Sequence, residues 1–121
     1  EIVNPVTTNT TDNATEYTAK IGLMYVSDYG FAAEPTAWTL TMGNYNNTTA
    51  TSTNWMYMGL YEWTISRSAD NSSSAFNVGG DGYVGNYFVN GNSAVRPSFS
   101  LLSSVTYSKG DGTQNSPIRI N

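Results

Sequence analysis

Residues 75–101, AFNVGGDGYVGNYFVNGNSAVRPSFSL, carry the strongest fold signal in the chain. Two glycine-containing turns, Gly-Gly-Asp-Gly at 79–82 and Asn-Gly-Asn-Ser at 90–93, separate three stretches that contain regularly placed apolar residues. Asp-Gly and Asn-Gly between such stretches are the strongest short-range signal for a β-hairpin. The predicted strands of this meander are Ala75–Val78, Tyr83–Val89 and Ala94–Leu101. Pro97 cannot donate a ladder hydrogen bond, so its neighbourhood is predicted at an edge or a bulge.

The sequence on either side of the meander also favours strands. Residues 21–30 have apolar side chains on both faces of an extended chain, which is typical of a buried central strand. Residues 55–67 predict two short strands that meet at Gly59, where glycine permits a bend or a bulge. Residues 46–54 predict a polar loop. The last predicted elements are strands at 105–107 and 118–120 around a turn at Gly110–Gly112. With one or two short helical turns and long irregular loops, the predicted class is α+β, mostly β, built from antiparallel hairpins.

Charge is scarce in this chain. Charged residues make up 12% of the sequence, about half the usual share for soluble domains, and the net charge is −4. The five Lys and Arg residues are scattered, which argues against nucleic acid as a partner because phosphate binding needs clustered cations. No apolar run reaches the length of a membrane span. A surface of hydroxyls and amides with few lysines predicts an extracellular or cell-surface location.

The first residues are more polar than the rest. Residues 1–19 predict an N-terminal arm or linker, with an edge strand around Glu16–Lys20 as the alternative. Residues 20–121 are then expected to form one domain, since 121 residues are too few for two independent cores. The polar opening stretch suggests that the chain is a piece of a longer protein.

The sequence contains no cysteine and no histidine. Thiolate nucleophiles, disulfides and imidazole general bases are therefore excluded, and so are zinc sites of the usual Cys and His ligands. Neither a catalytic residue, a metal site nor a cofactor is predicted, and the chain is expected not to be an enzyme.

The acidic residues and arginines receive structural interpretations. Glu34 and Glu62 are interpreted as surface or capping residues, as is Asp28, because the sequence places no nucleophile beside them. Arg96 lies inside an apolar strand, so it is predicted to pair with Glu62 or Asp28 and to stabilise the core. Arg67 begins a polar loop, and its role stays open. The two Gly-Asp-Gly sequences are predicted to be hairpin turns, since a calcium loop needs further acids.

Two polar loops, 66–74 and 86–93, are the predicted ligand-binding surface. Their Ser, Asn, Asp, Tyr and Gly residues combine rigid aromatic contacts with adaptable hydrogen bonds, as in antibody paratopes. Turns use several of the same residues for backbone reasons, which is the alternative. The candidate ligand-binding residues are Arg67, Ser68, Asp70, Asn71, Ser73, Asn86, Tyr87, Asn90 and Asn92.

The order of Gly59–Arg67 (GLYEWTISR), a polar loop and Ala94–Leu101 (AVRPSFSL) resembles a known family. It is similar to the C-type-lectin fold in its formylglycine-generating-enzyme-like branch, over about residues 20–121. Lys20–Gly30 and Gly110–Pro117 add a likeness to C-terminal domains of exported, pilin-like proteins of gut Firmicutes. The resemblance implies a strand scaffold that displays an irregular ligand-binding surface, as in the diversified binding proteins of diversity-generating retroelements.

The resemblance does not carry every family property to this chain. The oxidase branch depends on cysteines, which are missing here. Animal lectins bind sugar through calcium with Glu-Pro-Asn and Trp-Asn-Asp triplets, and Glu34-Pro35-Thr36 is only a partial match. The expected function is an extracellular binding module, adhesin-like or lectin-like, for a protein or glycan. The alternative is a structural subunit of a pilus, filament or phage tail fibre that self-associates.

Overall fold

Seven short strands and two short helices form the part of the chain that the computed structural model describes, residues 19–121. The strands are β1 (Gly22–Leu23), β2 (Glu62–Arg67), β3 (Ser74–Val78), β4 (Val84–Phe88), β5 (Pro97–Ser98), β6 (Tyr107–Lys109) and β7 (Arg119–Ile120). The helices are α1 (Val26–Phe31) and α2 (Thr48–Thr53), with 3-10 turns at Pro35–Ala37 and Met42–Asn44. The predicted mostly β class with antiparallel sheets is confirmed at this level. The predicted arm, apart from Ala19, lies outside the described residues.

The centre of the fold is a three-stranded antiparallel sheet in the order β2-β3-β4. The first predicted hairpin is confirmed: β3 pairs with β4 through the turn at 79–82. Gly79 N–H donates to Tyr83 O at 2.7 Å, and Gly82 N–H donates to Gly79 O at 2.9 Å. Gly82 has a φ of 95°, which other residues adopt at a cost, so the turn depends on glycine here.

The prediction that residues 94–101 form the third strand of the meander, next to β4, was wrong. Residues 94–101 do not continue the sheet beyond β4. Ala94 forms a parallel bridge to Glu62 at the far edge of β2, and β5 pairs with β1 in a separate two-stranded sheet. Pro97 thus lies in a two-residue edge strand, as its missing N–H requires.

The prediction of a buried strand over 21–30 was wrong for most of its length. Only Gly22–Leu23 is extended, and α1 follows at Val26. Asp28 accepts a hydrogen bond from Tyr25 N–H at 2.7 Å, so its carboxylate caps the helix. Capping was one of the two roles predicted for Asp28. The helix turns Tyr29 into the core. Short apolar runs do not separate helix from strand by periodicity alone, which explains the error.

The predicted polar loop over 46–54 was also wrong, because it contains α2. Asn47 is the N-cap, and its Oδ1 accepts from Ala50 N–H at 2.8 Å. Ala50 is the one apolar residue that this helix buries. Thr51 and Thr53 return their hydroxyls to carbonyls of the preceding turn. Threonine is a weak helix former, so the cap and the buried alanine override propensity here.

Only the second of the two strands predicted over 55–67 exists. Residues 55–61 are irregular, and Gly59 has a φ of 69°, which marks a turn rather than a junction of strands. The irregularity in the ladder occurs later, between Trp63 and Arg67.

The predicted C-terminal hairpin is confirmed, with strand bounds shifted by one to two residues. β6 pairs with β7, and Gly110 and Gly112 both have positive φ values. Asp111 Oδ1 accepts from Thr113 N–H at 2.9 Å, and this hydrogen bond lowers the pKa of the exposed carboxyl. The carboxylate therefore stabilises the turn, as the hairpin interpretation expected.

The core is small and rich in alanine and tyrosine. Tyr29 is fully buried, and its hydroxyl donates to Gly82 O at 2.9 Å. Tyr57 donates to Gly80 O at 3.0 Å, so two phenols hold the 79–82 turn against the core. The remaining buried apolar residues include Met24, Ala32, Ala33, Ala37, Tyr45, Ala50, Met56, Val78 and Val84.

A partly buried ion pair joins the separate segments. Arg96 Nη2 lies 2.6 Å from Glu62 Oε2, with the carboxylate side chain 4% exposed. The same nitrogen donates to Met56 O at 2.7 Å. The structural role predicted for Arg96 is confirmed, with Glu62 rather than Asp28 as its partner. The interpretation of Glu62 as a surface or capping residue was wrong.

Arg96→Ala is expected to lower the free energy of unfolding by about 3–5 kcal/mol, because it leaves the Glu62 carboxylate buried without its counter-charge. Urea unfolding followed by Trp fluorescence measures the change. Arg67→Ala is the matched control: this arginine is exposed, and its removal is expected to cost less than about 0.5 kcal/mol. Equal losses in both variants would refute the role of the ion pair.

Burial raises the pKa of Tyr29 from 10.0 to about 12, with smaller contributions from Tyr57 and Glu62. Above pH 10 the unfolded chain releases this proton and the folded chain keeps it. The free energy of unfolding is therefore expected to fall between pH 10 and pH 12, with the Tyr29 contribution intact below that window.

Tyr29→Phe is expected to be less stable at neutral pH, because Gly82 O loses its donor, and to show a shallower alkaline decline. Denaturant titrations from pH 8 to 12 test this, with exposed Tyr61→Phe as the control. A Tyr29→Phe profile parallel to that of the native protein would contradict the assignment.

Candidate functional site

One face of the three-stranded sheet packs on the core. The opposite face, called the outer face here, is exposed at Arg67 and Tyr87, whereas Asn77 on the same face is 2% exposed. Glu62, Val78 and Val84 are register partners, and all three are buried on the core side. Arg67, Ala75 and Tyr87 form another row of register partners. Because side chains alternate along β3, Ala75 projects opposite to Val78, and its row belongs to the outer face.

The row brings a cation and an aromatic ring to the same surface. Arg67 and Tyr87 are both exposed, and Ala75 lies between them. Two strand spacings place the Cα atoms of Arg67 and Tyr87 roughly 10 Å apart. We call Trp63, Arg67, Ala75 and Tyr87 the outer-face site.

A bulge in β2 sets this alignment. Trp63 pairs with Asn77, and the next paired residue of β2 is Arg67, opposite Ala75. The residues 64–66 of β2 thus face a single residue of β3, which makes β2 locally longer than its partner. Without the extra residues, Ile65 would stand opposite Ala75 and Arg67 would lie beyond the row.

Trp63 is a member of the site that the sequence prediction missed. Its ring centroid lies 6.2 Å from that of Tyr87, with an angle of 39° between the planes. The alternation of Trp63, Ile65 and Arg67 along one strand was the signal that could have placed Trp63 on the face of Arg67.

Tyr87 is held in place from the other side by a turn. A Cβ atom on Gly91 would overlap Tyr87 Cε1, so the ring lies directly against this glycine. Gly91 N–H donates to Phe88 O at 2.8 Å, which closes the turn after β4. Tyr87 is nevertheless 50% exposed, so its ring is fixed at one edge and open to a ligand at the other.

The predicted loops 66–74 and 86–93 are shorter in the structure, because Ser66 and Arg67 end β2, Ser74 begins β3 and residues 86–88 belong to β4. The remaining loops, 68–73 and 89–93, meet at this end of the sheet. Val89 N–H, after β4, donates to Ser73 O, before β3, at 3.0 Å. Within the first loop Asn71 Oδ1 accepts from Ser73 N–H at 2.9 Å, and Asn71 O accepts from Ser74 N–H at 3.1 Å. The loop is thus shaped by its own asparagine.

The predicted ligand-binding residues divide into three groups. Asp70, Ser73, Asn90 and Asn92 are exposed beside the outer-face site, which itself contains Arg67 and Tyr87. Asn71 is half-buried and positions the loop. Ser68 is 4% exposed, and its N–H donates to Ser74 O, so its side chain is not offered to a ligand. Asn86 is exposed, but it alternates with Tyr87 and projects to the opposite side of the sheet.

The local charge is small. Within residues 19–121 the only ion pair joins Arg96 to Glu62, so Arg67 has no acidic partner in this part of the chain. Asp70 follows in the adjoining loop and is exposed. The surface around the outer-face site therefore presents one guanidinium, one exposed carboxylate at Asp70, and otherwise neutral amides and hydroxyls.

A second concave surface lies between α1 and the 3-10 turns. Phe31 and Trp38 meet edge to face with ring centroids 5.2 Å apart, beside Gly30, Leu40, Met42 and Tyr45. The cleft encloses about 180 Å³, which is below the usual range for a small-molecule site. The outer-face site is the stronger candidate.

The described residues contain no group of three or more acidic side chains placed to hold a metal ion. None of the helices in 19–121 has the length and apolar character of a membrane span.

Comparison of the chain with protein-family models, with curated proteins and with solved structures found no match. The resemblance to the C-type-lectin fold and to pilin-like proteins therefore stays a prediction, and so does the domain boundary at residue 20.

Proposed function

We propose that this chain is a non-enzymatic binding module at the cell exterior, which presents the outer-face site and its two flanking loops to a protein or glycan. The single observation that carries the proposal is the convergence of both loops on the row Arg67–Ala75–Tyr87. The hydrogen bond from Val89 N–H to Ser73 O joins the loops directly beside that row.

The composition of the surface supports recognition rather than catalysis. Tyr87 and Trp63 offer aromatic area at low conformational entropy cost, and Asn and Ser side chains around them supply adaptable hydrogen bonds. No acid of the described chain lies buried beside a nucleophile there, as general acid or base chemistry would need. A lectin-like scaffold is part of this proposal, without a calcium-dependent sugar site.

Preorganisation also favours binding. The Asn71 hydrogen bonds shape one loop, and the contact of Tyr87 with Gly91 shapes the other. A surface that is already ordered avoids part of the entropy cost of association.

A second candidate is a structural subunit that self-associates. Residues 99–121 contain no buried residue, although this segment forms the β6–β7 hairpin. An isolated two-stranded hairpin is marginally stable in water, so a covering surface would stabilise it. The large exposed apolar side chains of this segment are Phe99, Leu101, Leu102, Tyr107, Ile118 and Ile120.

The binding proposal is tested with a variant of the outer-face site that carries Arg67→Ala, Tyr87→Ala, Asn90→Ser and Asn92→Ser and keeps Asn71 and Gly91. A glycan array and a pull-down from host extracellular proteins are expected to show ligands of the native chain that this variant binds at least about tenfold more weakly.

The matched control carries Lys109→Ser, Gln114→Ser and Asn115→Ser, three exposed positions in the C-terminal hairpin. It is expected to bind as the native chain does. Chelation of calcium is expected to leave binding unchanged. The same ligands at the same affinity with the outer-face variant would show that the loops are not the binding surface.

The structural alternative predicts concentration-dependent assembly. Light scattering of the native chain is then expected to show growing mass with concentration, and Ile118→Ser with Ile120→Ser to abolish it, because both side chains are about half exposed. A strictly monomeric native chain at high concentration contradicts the subunit function and leaves the binding proposal unaffected.

A further inference from the structure

The charge at the outer-face site narrows the kind of ligand. Arg67 is the only cation in the sheet β2–β4 and the loops between its strands. Arg96 is committed to Glu62 and to Met56 O, so it does not serve this surface. A guanidinium without an acidic partner in the described chain attracts an anion, and its planar fork suits two oxygens at once.

The aromatic side chains restrict the class of ligand further. Tyr87 is open on one side of its ring and held by Trp63 and Gly91 on the others. A rigid aromatic face next to a cation fits a ligand in which one ring carries both an apolar face and an anionic substituent. Ala75 adds only a methyl group between Arg67 and Tyr87, and the Trp63 ring borders this row.

We infer that the outer-face site binds an anionic sugar, whose acid group pairs with Arg67 and whose ring packs on Tyr87. This inference rests on the proposed binding function and names its ligand class. The remaining sugar hydroxyls meet the hydroxyl of Ser73 and the amides of Asn90 and Asn92, which are exposed beside the row.

The charge balance favours an anionic sugar over an acidic peptide. A single guanidinium, with amides, hydroxyls and the one carboxylate of Asp70 around it, matches a ligand with one acid group per several hydroxyls. A peptide with several carboxylates would meet the exposed Asp70 and a chain of net charge −4 with a single local cation to offset them. Preferential binding of an acidic peptide is therefore a result that would contradict the inference.

The test is calorimetric titration of the full chain with five probes. They are an oligosaccharide of uronic acid units, a sialylated oligosaccharide, the neutral counterpart of each, and a Glu-rich peptide. We expect at least one acidic oligosaccharide to bind at least about tenfold more tightly than its neutral counterpart, with weaker binding at higher salt. Tighter binding of the peptide, or equal binding of acidic and neutral sugars, would overturn the inference.

Three variants test which side chain contacts the acid group and which contacts the sugar ring. Arg67→Ala is expected to reduce affinity for the acidic sugar at least about tenfold, and Arg67→Lys to recover part of the loss, since the charge remains without the fork. Tyr87→Ala is expected to weaken acidic and neutral sugars alike. Arg119→Ala, an exposed arginine on β7, is the matched control and is expected to bind as the native chain does.

The outcomes separate the inference from the function on which it rests. If neutral glycans or proteins bind through Tyr87 and the Arg67 variants behave as the native chain, the anionic-sugar inference fails and the binding function stands. If the glycan array and the host-protein pull-down also retain nothing, the binding function fails with it. Thermal unfolding of each variant shows that a lost signal does not come from a lost fold.

Discussion

The ion pair between Glu62 and Arg96 is the contact on which the rest of the arrangement depends. A buried carboxylate is costly unless a counter-charge and hydrogen bonds accompany it. Arg96 meets that requirement and donates to Met56 O as well, so one side chain joins the start of β2 to segments before and after it. Ala94 is thereby directed to the outer edge of β2, where it exchanges hydrogen bonds with Tyr61 and Trp63. Since the chain after β4 crosses back to β2, β4 remains the outer strand of the sheet, and Tyr87 on it remains accessible.

The two ends of the sheet are stabilised in different ways. At the 79–82 turn, the hydroxyls of Tyr29 and Tyr57 bond to backbone carbonyls, and Gly82 is buried in close contact with Thr51. At the other end, the loops are joined to each other by the hydrogen bond between Val89 and Ser73 and are exposed. A scaffold fixed at one end can carry a polar, exposed surface at the other, because the stability of the core does not depend on the side chains of that surface.

Local chemistry explains what the sequence could predict. The 79–82 turn and the C-terminal turn follow from glycine and aspartate preferences within a few residues, and both hairpins are present. The helix α2 was missed because its signals, the cap at Asn47 and the single buried Ala50, are hidden in a threonine-rich stretch. The neighbour of residues 94–98 depends on a contact 34 residues away in sequence between Arg96 and Glu62, which local patterns do not encode. The composition of the loops likewise predicted Arg67 and Tyr87. Alternation along β2 could have placed Trp63 on the face of Arg67, but its contact with Tyr87 depends on the register of the sheet.

That register has one further consequence for the site. Trp63 N–H and Ile65 N–H both point to the outer edge of β2, where they donate to Ala94 O and Met24 O, each at 2.9 Å. The Ile65 side chain lies close to Gly22, where an added Cβ atom would be 3.9 Å from Ile65 Cδ1. The bulge that follows places Arg67 in the same register row as Tyr87. A regular strand would have placed Ile65 opposite Ala75, in the same row as Tyr87. Because of the bulge, the row that contains Tyr87 carries a cation instead of an aliphatic side chain. An exposed apolar row would favour association with another apolar surface, whereas a row with a cation and an aromatic ring can select a charged ligand.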